Sequence, residues 1–324
     1  MSEVVGLAGT GYMGAAMARR LLACGRRVRC WNRTAQKAEA LRAYGAEPVD
    51  QLRELGRCGT VLLALEDGRA AADALFVWGL ADALTPGSLI VDLGSGRPAD
   101  AVANAARLAT GRVGHVDAPV SGGPSAAEKG MLAIMAGGSR PELDRARPVL
   151  AQLGDVTHVG GTGAGQAMKL ANQLIVGAGI AAVAEATLLL QTSGIDPALM
   201  RRALAGGFAD SRILQLHGAR MSARDFTPGG KCATQLKDLE NVLEFGHGNG
   251  FNAPVTAVVR DLYASLCANE DNGLDHSAIL LEIERMSARP AQMDAPAARG
   301  ASLSEANSTA LANRQAESAR PTPR

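Results

Sequence analysis

The stretch Val4-Val5-Gly6-Leu7-Ala8-Gly9-Thr10-Gly11-Tyr12-Met13-Gly14 decides the fold of this chain. Its apolar run predicts a buried strand, and its glycines have the spacing of a dinucleotide-binding turn that opens a helix. Gly9 permits the tight turn, Gly11 lets the backbone approach a pyrophosphate, and Gly14 lets the helix pack on the strand. N–H groups at the start of a helix attract phosphate. We therefore predict a dinucleotide site built from Gly9, Gly11, Tyr12, Met13 and Gly14.

The same alternation of strand and helix continues through the first half of the chain. Further strand-like runs cover residues 27–31, 60–65, 89–93, 114–120, 132–136 and 156–159, with helix-like segments such as 13–24 and 98–109 between them. This alternation predicts an α/β fold, a doubly wound parallel sheet of the Rossmann type, as a cofactor-binding domain over residues 1–162.

From residue 163 the pattern becomes helical. Helical periods cover residues 164–193, 196–205, 233–247, 254–269 and 276–287. An all-helical C-terminal domain is therefore predicted over residues 163–288. Residues 289–324 are mostly Ala, Arg, Ser and Pro, a composition that buries too little apolar surface to fold alone, so we predict a disordered tail there.

The composition argues against several classes of partner. The net charge is +1, with acids and bases mixed along the chain, which indicates no nucleic-acid or membrane-surface partner. The five cysteines show no CxxC spacing and the five histidines no zinc-ligand spacing, so we predict free thiols, a reducing cytoplasmic location and no metal site. The apolar run 174–190 approaches the length of a membrane span, but Glu185 interrupts it and favours a buried helix.

The end of the second strand-like run bears on the choice of cofactor. An NAD site usually places an acid here to bind the ribose 2′-hydroxyl, whereas this chain has Asn32-Arg33-Thr34. A guanidinium beside an amide and a hydroxyl suits a 2′-phosphate. We predict that these three residues bind NADP. NAD is the alternative cofactor, and the alternative role for Arg33 is that of a solvated turn residue that binds no cofactor.

Two later segments suit a small anionic substrate. Asp117-Ala-Pro-Val-Ser121-Gly122-Gly123 ends a strand, and a hydroxyl followed by glycine N–H groups makes a nest for a carboxylate. Lys169 stands at the start of the long apolar helix, with Asn172 on the same face. Partial burial can lower the pKa of an amine and make it a proton donor. The alternative is a lysine without a catalytic role, whose methylene groups lie along the helix and whose amine reaches water.

Together these segments resemble the β-hydroxyacid dehydrogenases related to 3-hydroxyisobutyrate dehydrogenase. Four segments carry the resemblance, in the family's order: Gly9–Gly14 with Met13, Asp117–Gly123, Gly163–Asn172 and Gln235-Leu-Lys237-Asp238-Leu239. It spans residues 3–287. It implies hydride transfer between NADP(H) and a small carboxylate-bearing substrate, a long inter-domain helix starting near residue 163, and a homodimer or homotetramer assembled through the helical domain.

The resemblance also implies a role for individual residues. It makes Lys169 the catalytic lysine. It assigns the substrate to Ser121, Gly122, Gly123 and Asn172. It adds Leu65, Glu66, Ser95 and Lys237 to the cofactor site, with Asp238 beside Lys237.

The C-terminal half looks most like the family branch that reduces 2-hydroxy-3-oxopropionate (tartronate semialdehyde), on segments 207–214, 226–229 and 275–278 among others. Oxidation of 3-hydroxyisobutyrate is the main alternative. Imine reduction, histone-tail reading and NADPH sensing without turnover are further alternatives, and Lys169 argues against the first two. Two departures from the family lie near the expected nicotinamide and substrate: Gly94, where relatives have serine, and Gly230, where they have a bulky residue.

Overall fold

A nine-stranded sheet forms the first half of the chain, in a computed structural model that describes residues 4–269 and 271–288. Its strands are β1 (Val4–Ala8), β2 (Arg27–Trp31), β3 (Glu47–Pro48), β4 (Thr60–Leu63), β5 (Leu89–Asp92), β6 (Gly114–Asp117), β7 (Val120–Ser121), β8 (Leu132–Gly137) and β9 (Gly154–Gly160). Their order is β3-β2-β1-β4-β5-β6-β8-β7, with β9 paired to β8. The order changes direction at β1, and ligands of open α/β sheets bind beyond the carboxyl ends of the strands at such a point.

Helices cover this sheet and make up the second half. They are α1 (Tyr12–Ala23), α2 (Ala35–Glu39), α3 (Gly68–Ala72), α4 (Leu80–Ala83), α5 (Pro98–Thr110), α6 (Gly123–Lys129), α7 (Arg140–Leu153), α8 (Ala164–Thr192), α9 (Ala198–Ala203), α10 (Arg212–Ala223), α11 (Cys232–Gly248), α12 (Pro254–Ala268) and α13 (Ile279–Ala288). The predicted Rossmann sheet followed by helices is confirmed. The predicted disordered tail lies outside the described residues.

The structure differs from the predicted elements at three places. The run 114–120 breaks after Asp117 into β6 and β7, because Pro119 lacks the N–H that a continuous strand would donate. β8 runs antiparallel to β6 and β7, so the sheet is mostly rather than wholly parallel. β3 and α10 were not predicted, although Ser211 accepts a hydrogen bond from Leu214 N as the N-cap of α10.

The long helix α8 belongs to both halves of the fold. It contacts β8 and α5 on the sheet side and α10, α11 and α12 on the helical side. Its residues Ile180 and Ala184 are fully buried in a core that also contains Tyr263. The described residues up to Met286 form one compact unit. Within it the predicted boundary at residue 163 falls on the N-cap of α8, and the division into two domains stays a prediction.

Candidate active site

The glycine turn after β1 has the geometry that a pyrophosphate requires. Gly9 has a φ of +95°, and a Cβ on Gly14 would lie 1.9 Å from Gly9 O, so neither position tolerates a side chain. A Cβ on Gly11, by contrast, would meet nothing within 4 Å. Thr10 Oγ1 is buried and has no hydrogen-bond partner among the described residues. An open backbone face, an unpaired hydroxyl and the uncapped start of α1 fit a bound phosphate.

The end of β2 is tied to this turn. Asn32 Oδ1 accepts from Thr10 N at 2.9 Å, and Asn32 Nδ2 donates to Thr34 O at 3.1 Å, so the amide shapes the turn. Arg33 is exposed and has no hydrogen bond or ion pair within residues 4–269 and 271–288. Its guanidinium is therefore available to a ligand. On the other side of the turn, the side chain of Leu65 reaches within 3.0 Å of a Cβ built on Gly9.

Lys169 lies on the second turn of α8, next to the predicted carboxylate loop. Its Nζ donates to Val120 O at 2.8 Å, and Val120 immediately precedes Ser121. The side chain is half-buried. This burial lowers the pKa of Lys169 to about 8, with Lys237 acting in the same direction and the charge of Asp238 opposing both. The amine can therefore both donate and accept a proton near neutral pH.

Two glycines set the backbone conformation of the loop from Ser121 to Gly123. Gly122 and Gly123 have φ values of +136° and +75°, which only glycine adopts readily. Helix α6 begins at Gly123 without a side-chain cap, and Pro124 has no N–H, so Gly122 and Gly123 supply the N–H groups that this loop can offer to a ligand. These donors lie in the same loop as the carbonyl that holds Lys169.

Two buried side chains fix the start of α8, and with it Lys169. Asp117 is fully buried, and its Oδ1 and Oδ2 accept from Gly163 N at 2.8 Å and Gln166 N at 2.9 Å. Burial raises the pKa of Asp117, and these backbone donors oppose the rise. Gln166 in turn is hydrogen-bonded to the turn after β5. Its Oε1 accepts from Gly96 N at 2.8 Å, and its Nε2 donates to Gly94 O at 2.9 Å.

A chain of polar side chains joins α8 to α11. Asn172 Nδ2 donates to Gln173 Oε1 at 2.8 Å, and Gln173 Nε2 donates to Asp238 Oδ2 at 2.5 Å. Ser95 Oγ donates to the other carboxylate oxygen of Asp238 at 3.0 Å. Asn172 is thus placed beside the site, but it is Val120 O rather than Asn172 that holds the amine of Lys169.

Lys237 on α11 reaches back to the sheet, as the family resemblance implies. Its Nζ donates to Glu66 O at 2.9 Å and to Ser95 O at 2.8 Å, and it forms an ion pair with Asp238 at 3.1 Å. The structure therefore brings Glu66, Ser95 and Lys237 together at the carboxyl edge of β4 and β5.

Sequence reasoning missed two site residues, Gln166 and Gln173. They lie three residues before and four residues after Lys169, which places all three on one face of α8. That spacing was the available signal. The partners of these glutamines, the turn 94–96 and Asp238, are distant in sequence and could not be deduced from it.

A second cluster of polar side chains, His217, Asp275 and His276, lies in the helical half. Their candidate ligand atoms all fall within 4.8 Å of one another, which is compatible with a metal site. However, the carboxylate of Asp275 already accepts from Gly229 N, Gly230 N and Ser277 N, and Arg220 Nε lies 3.5 Å from its Oδ1. A guanidinium against the carboxylate disfavours a further cation, so we assign no metal to this cluster.

A glycine turn shaped for a pyrophosphate and a lysine of lowered pKa beside a glycine loop, at one edge of a Rossmann sheet, fit an NAD(P)-dependent oxidoreductase. Comparison with known proteins agrees. The family described as the NAD binding domain of 6-phosphogluconate dehydrogenase matches residues 4–161, and the family described as NAD-binding of NADP-dependent 3-hydroxyisobutyrate dehydrogenase matches residues 163–283. The chain belongs to the 3-hydroxyisobutyrate dehydrogenase-related family of β-hydroxyacid dehydrogenases.

Named relatives show the range of substrates in this family. The chain is 37% identical to 2-hydroxy-3-oxopropionate reductase of Escherichia coli (strain K12), over 87% of this chain and 97% of that protein. It is 31% identical to L-threonate dehydrogenase of Cupriavidus necator, over 86% and 96%. The crystal structure of 3-hydroxyisobutyrate dehydrogenase from Salmonella typhimurium has a TM-score of 0.81 and 28% identity, over 86% and 99%.

Proposed function

We propose that this protein is an NADPH-dependent reductase of 2-hydroxy-3-oxopropionate. The observation that carries the proposal is the placement of Lys169 Nζ on Val120 O, directly beside the Ser121–Gly123 nest. The amine of Lys169 suits a carbonyl oxygen and the Ser121–Gly123 loop suits a carboxylate, and a short semialdehyde acid has both of these groups. The identity of 37% to the reductase of Escherichia coli supports this choice of substrate.

In the proposed reaction the chain holds both ends of the substrate and supplies the proton. Bound NADPH supplies a hydride to the carbonyl carbon. Ser121 Oγ and the N–H groups of Gly122 and Gly123 bind the carboxylate. The ammonium of Lys169 donates a hydrogen bond to the carbonyl oxygen, stabilises the developing negative charge and transfers one proton to it. The product is the hydroxy acid, and the neutral amine regains its proton from water.

Oxidation of 3-hydroxyisobutyrate is the second candidate, and the structural likeness to the Salmonella typhimurium enzyme favours it. NADPH oxidation measured with 2-hydroxy-3-oxopropionate, methylmalonate semialdehyde, succinic semialdehyde, glyoxylate and a cyclic imine tests both candidates. We expect the highest kcat/KM with 2-hydroxy-3-oxopropionate. A preference for methylmalonate semialdehyde would favour the second candidate. NADPH binding without consumption in any assay would contradict both and favour a sensor.

The lowered pKa of Lys169 gives the reaction an asymmetric dependence on pH. Reduction needs the ammonium form, so kcat/KM for reduction should be constant below about pH 8 and fall above it. Oxidation needs the neutral amine, so its kcat/KM should rise through the same pH and then level off. Initial rates in both directions give this pH dependence of kcat/KM. They are measured in buffers of constant ionic strength from pH 6 to 10, about two pH units on each side of the midpoint. A reduction rate that increases through pH 8 would contradict the role of Lys169.

The free guanidinium of Arg33 underlies the proposed preference for NADP. Replacing Arg33 with alanine should weaken NADPH binding by about 10-fold to 100-fold, because a charge-assisted phosphate contact contributes about 1.5–3 kcal/mol. NADH binding should stay unchanged, since it has no 2′-phosphate. Fluorescence titration of both cofactors measures the change, with the exposed Arg57→Ala as a matched control. Equal losses for NADPH and NADH would contradict this assignment.

We also propose that the chain assembles into a homodimer or homotetramer in the cytoplasm. α8 is apolar and long enough to cross a membrane by length and composition alone, yet only 28% of its most apolar window is buried. Ile175 and Leu189 are 63% and 65% exposed on this helix. A second copy of the chain packed on this face would bury them. Within residues 4–269 and 271–288 none of the five cysteines forms a disulfide, which supports a reducing compartment.

A further inference from the structure

His276 is a polar side chain near the site that the proposed reaction does not use. It begins the short turn His276–Ala278, which packs against both α8 and α11, the helices that carry Lys169 and Asp238. Its neighbours Asp275 and Ser277 are fully buried and hydrogen-bonded to each other, whereas His276 is only half-buried. The turn that carries this ring therefore packs on the two helices that carry Lys169 and Asp238.

The backbone of His276 is fixed, but its ring is not satisfied by the protein. The main chain donates to Gly230 O at 2.7 Å and accepts from the hydroxyl of Tyr263 at 2.8 Å. No hydrogen bond to either ring nitrogen occurs in the part of the chain that the structure describes. The ring makes an edge-to-face contact with that of His217, at 4.6 Å between ring centroids. One of its nitrogens lies within 4.8 Å of a His217 nitrogen and an Asp275 carboxylate oxygen, so the other nitrogen is the one left to meet a ligand.

The absence of a side chain at Gly230 leaves room for the ring of His276. A Cβ on Gly230 would lie 3.2 Å from Cε1 and 3.4 Å from Nε2 of His276, so the ring packs over the bare backbone of the glycine. A larger residue at 230 would push the imidazole aside. The imidazole of His276 therefore occupies space that a side chain at position 230 would otherwise fill.

The electrostatic surroundings favour a neutral ring. Burial lowers the pKa of His276, and the positive charges of Arg220 and Lys169 lower it further, against the opposing charges of Asp275 and Asp238. A neutral imidazole carries one N–H donor and one acceptor nitrogen, and both can pair with a hydroxyl.

We propose that His276 recognises the C2 hydroxyl of the substrate and so discriminates 2-hydroxy from 2-methyl semialdehyde acids. The inference rests on the proposed function, in which Lys169 and the Ser121–Gly123 nest hold the carbonyl and the carboxylate. The substituent on the carbon between them then distinguishes the two candidate substrates. Hydroxyl and methyl groups are similar in size, so a hydrogen bond discriminates between them far better than pocket volume does.

The test compares kcat/KM for 2-hydroxy-3-oxopropionate, methylmalonate semialdehyde and glyoxylate, which lacks the carbon that bears the hydroxyl. We expect the wild-type protein to prefer the hydroxyl substrate over the methyl substrate by about 10-fold or more. His276→Leu should abolish this preference by lowering only the rate with the hydroxyl substrate. His276→Gln, which keeps a donor and an acceptor, should restore part of it. His247→Leu, at an exposed histidine of α11, is the matched control and should change nothing.

Three results would overturn the inference. The preference could survive in a folded His276→Leu variant, all three substrates could lose activity equally, or the wild-type protein could prefer the methyl substrate. Equal losses would assign His276 a structural role only. If His276→Leu fails to fold, the ratio measured with His276→Gln decides the question. No turnover of any of the three by the wild-type protein would instead overturn the proposed function, and this inference with it.

Discussion

Lys169→Ala is expected to lower kcat for the reduction by about 10²-fold to 10⁴-fold, the usual contribution of a positioned general acid. The amine of Lys169 donates a hydrogen bond to Val120 O, beside the proposed substrate loop. The glycine turn and Arg33, which are proposed to bind the cofactor, follow β1 and β2. NADPH affinity should therefore remain at the wild-type value. Pre-steady-state turnover and fluorescence titration of NADPH separate these two quantities.

Two further variants make this experiment decisive. Lys169→Met keeps most of the side-chain volume without the charge, so we expect it to be as inactive as Lys169→Ala. That result would exclude the cavity left by alanine as the cause of the lost activity. Lys129→Ala removes an exposed lysine from the end of α6 and should retain full activity. Near-normal kcat in Lys169→Met would exclude Lys169 as the proton donor.

Asp117→Ala is expected to produce the second large effect, on both stability and rate. It removes the acceptors of Gly163 N and Gln166 N at the start of α8. Each buried donor left unpaired costs about 1–3 kcal/mol, so for the two donors the free energy of unfolding should fall by about 2–6 kcal/mol. Because α8 positions Lys169, kcat should fall as well, even in the fraction that remains folded.

Urea unfolding and kcat per folded molecule measure the two effects of this variant. Asp117→Asn keeps one acceptor oxygen and should lie between the wild type and Asp117→Ala in both. Asp155→Ala, at an exposed position in β9, is the matched control and should match the wild type. Unchanged stability and kcat in Asp117→Ala would show that the carboxylate does not position α8.

The sequence predicted the parts of this protein that depend on local pattern. β1 and β2 lie where they were predicted, because β1 is an apolar run before a glycine turn and β2 alternates arginine with apolar residues. The break before β7 was open to prediction as well, since Pro119 marks it. Helix α10 was missed because its large apolar residues are few and Gly218 interrupts them.

The candidate site was predictable residue by residue but not as a network. Lys169, Ser121 and Lys237 each lie in a recognisable segment. The hydrogen bond from Ser95 to Asp238 joins residues 143 positions apart, and the hydrogen bonds of Gln166 with the turn 94–96 join residues 70 and 72 positions apart. Such partners are set by how α8 and α11 pack on the sheet. The same packing places His276 over Gly230, which the sequence showed only as a missing side chain.

The transfer of label from NADPH that carries deuterium at both hydrogen positions of nicotinamide C4 tests the central claim most directly. The wild-type protein, incubated with the deuterated cofactor and 2-hydroxy-3-oxopropionate, should form glycerate with a single deuterium at C3 for each NADPH oxidised. Mass spectrometry and NMR of the product identify that position. Tight binding of the cofactor with no deuterium transferred to this or any other short semialdehyde acid would contradict the account.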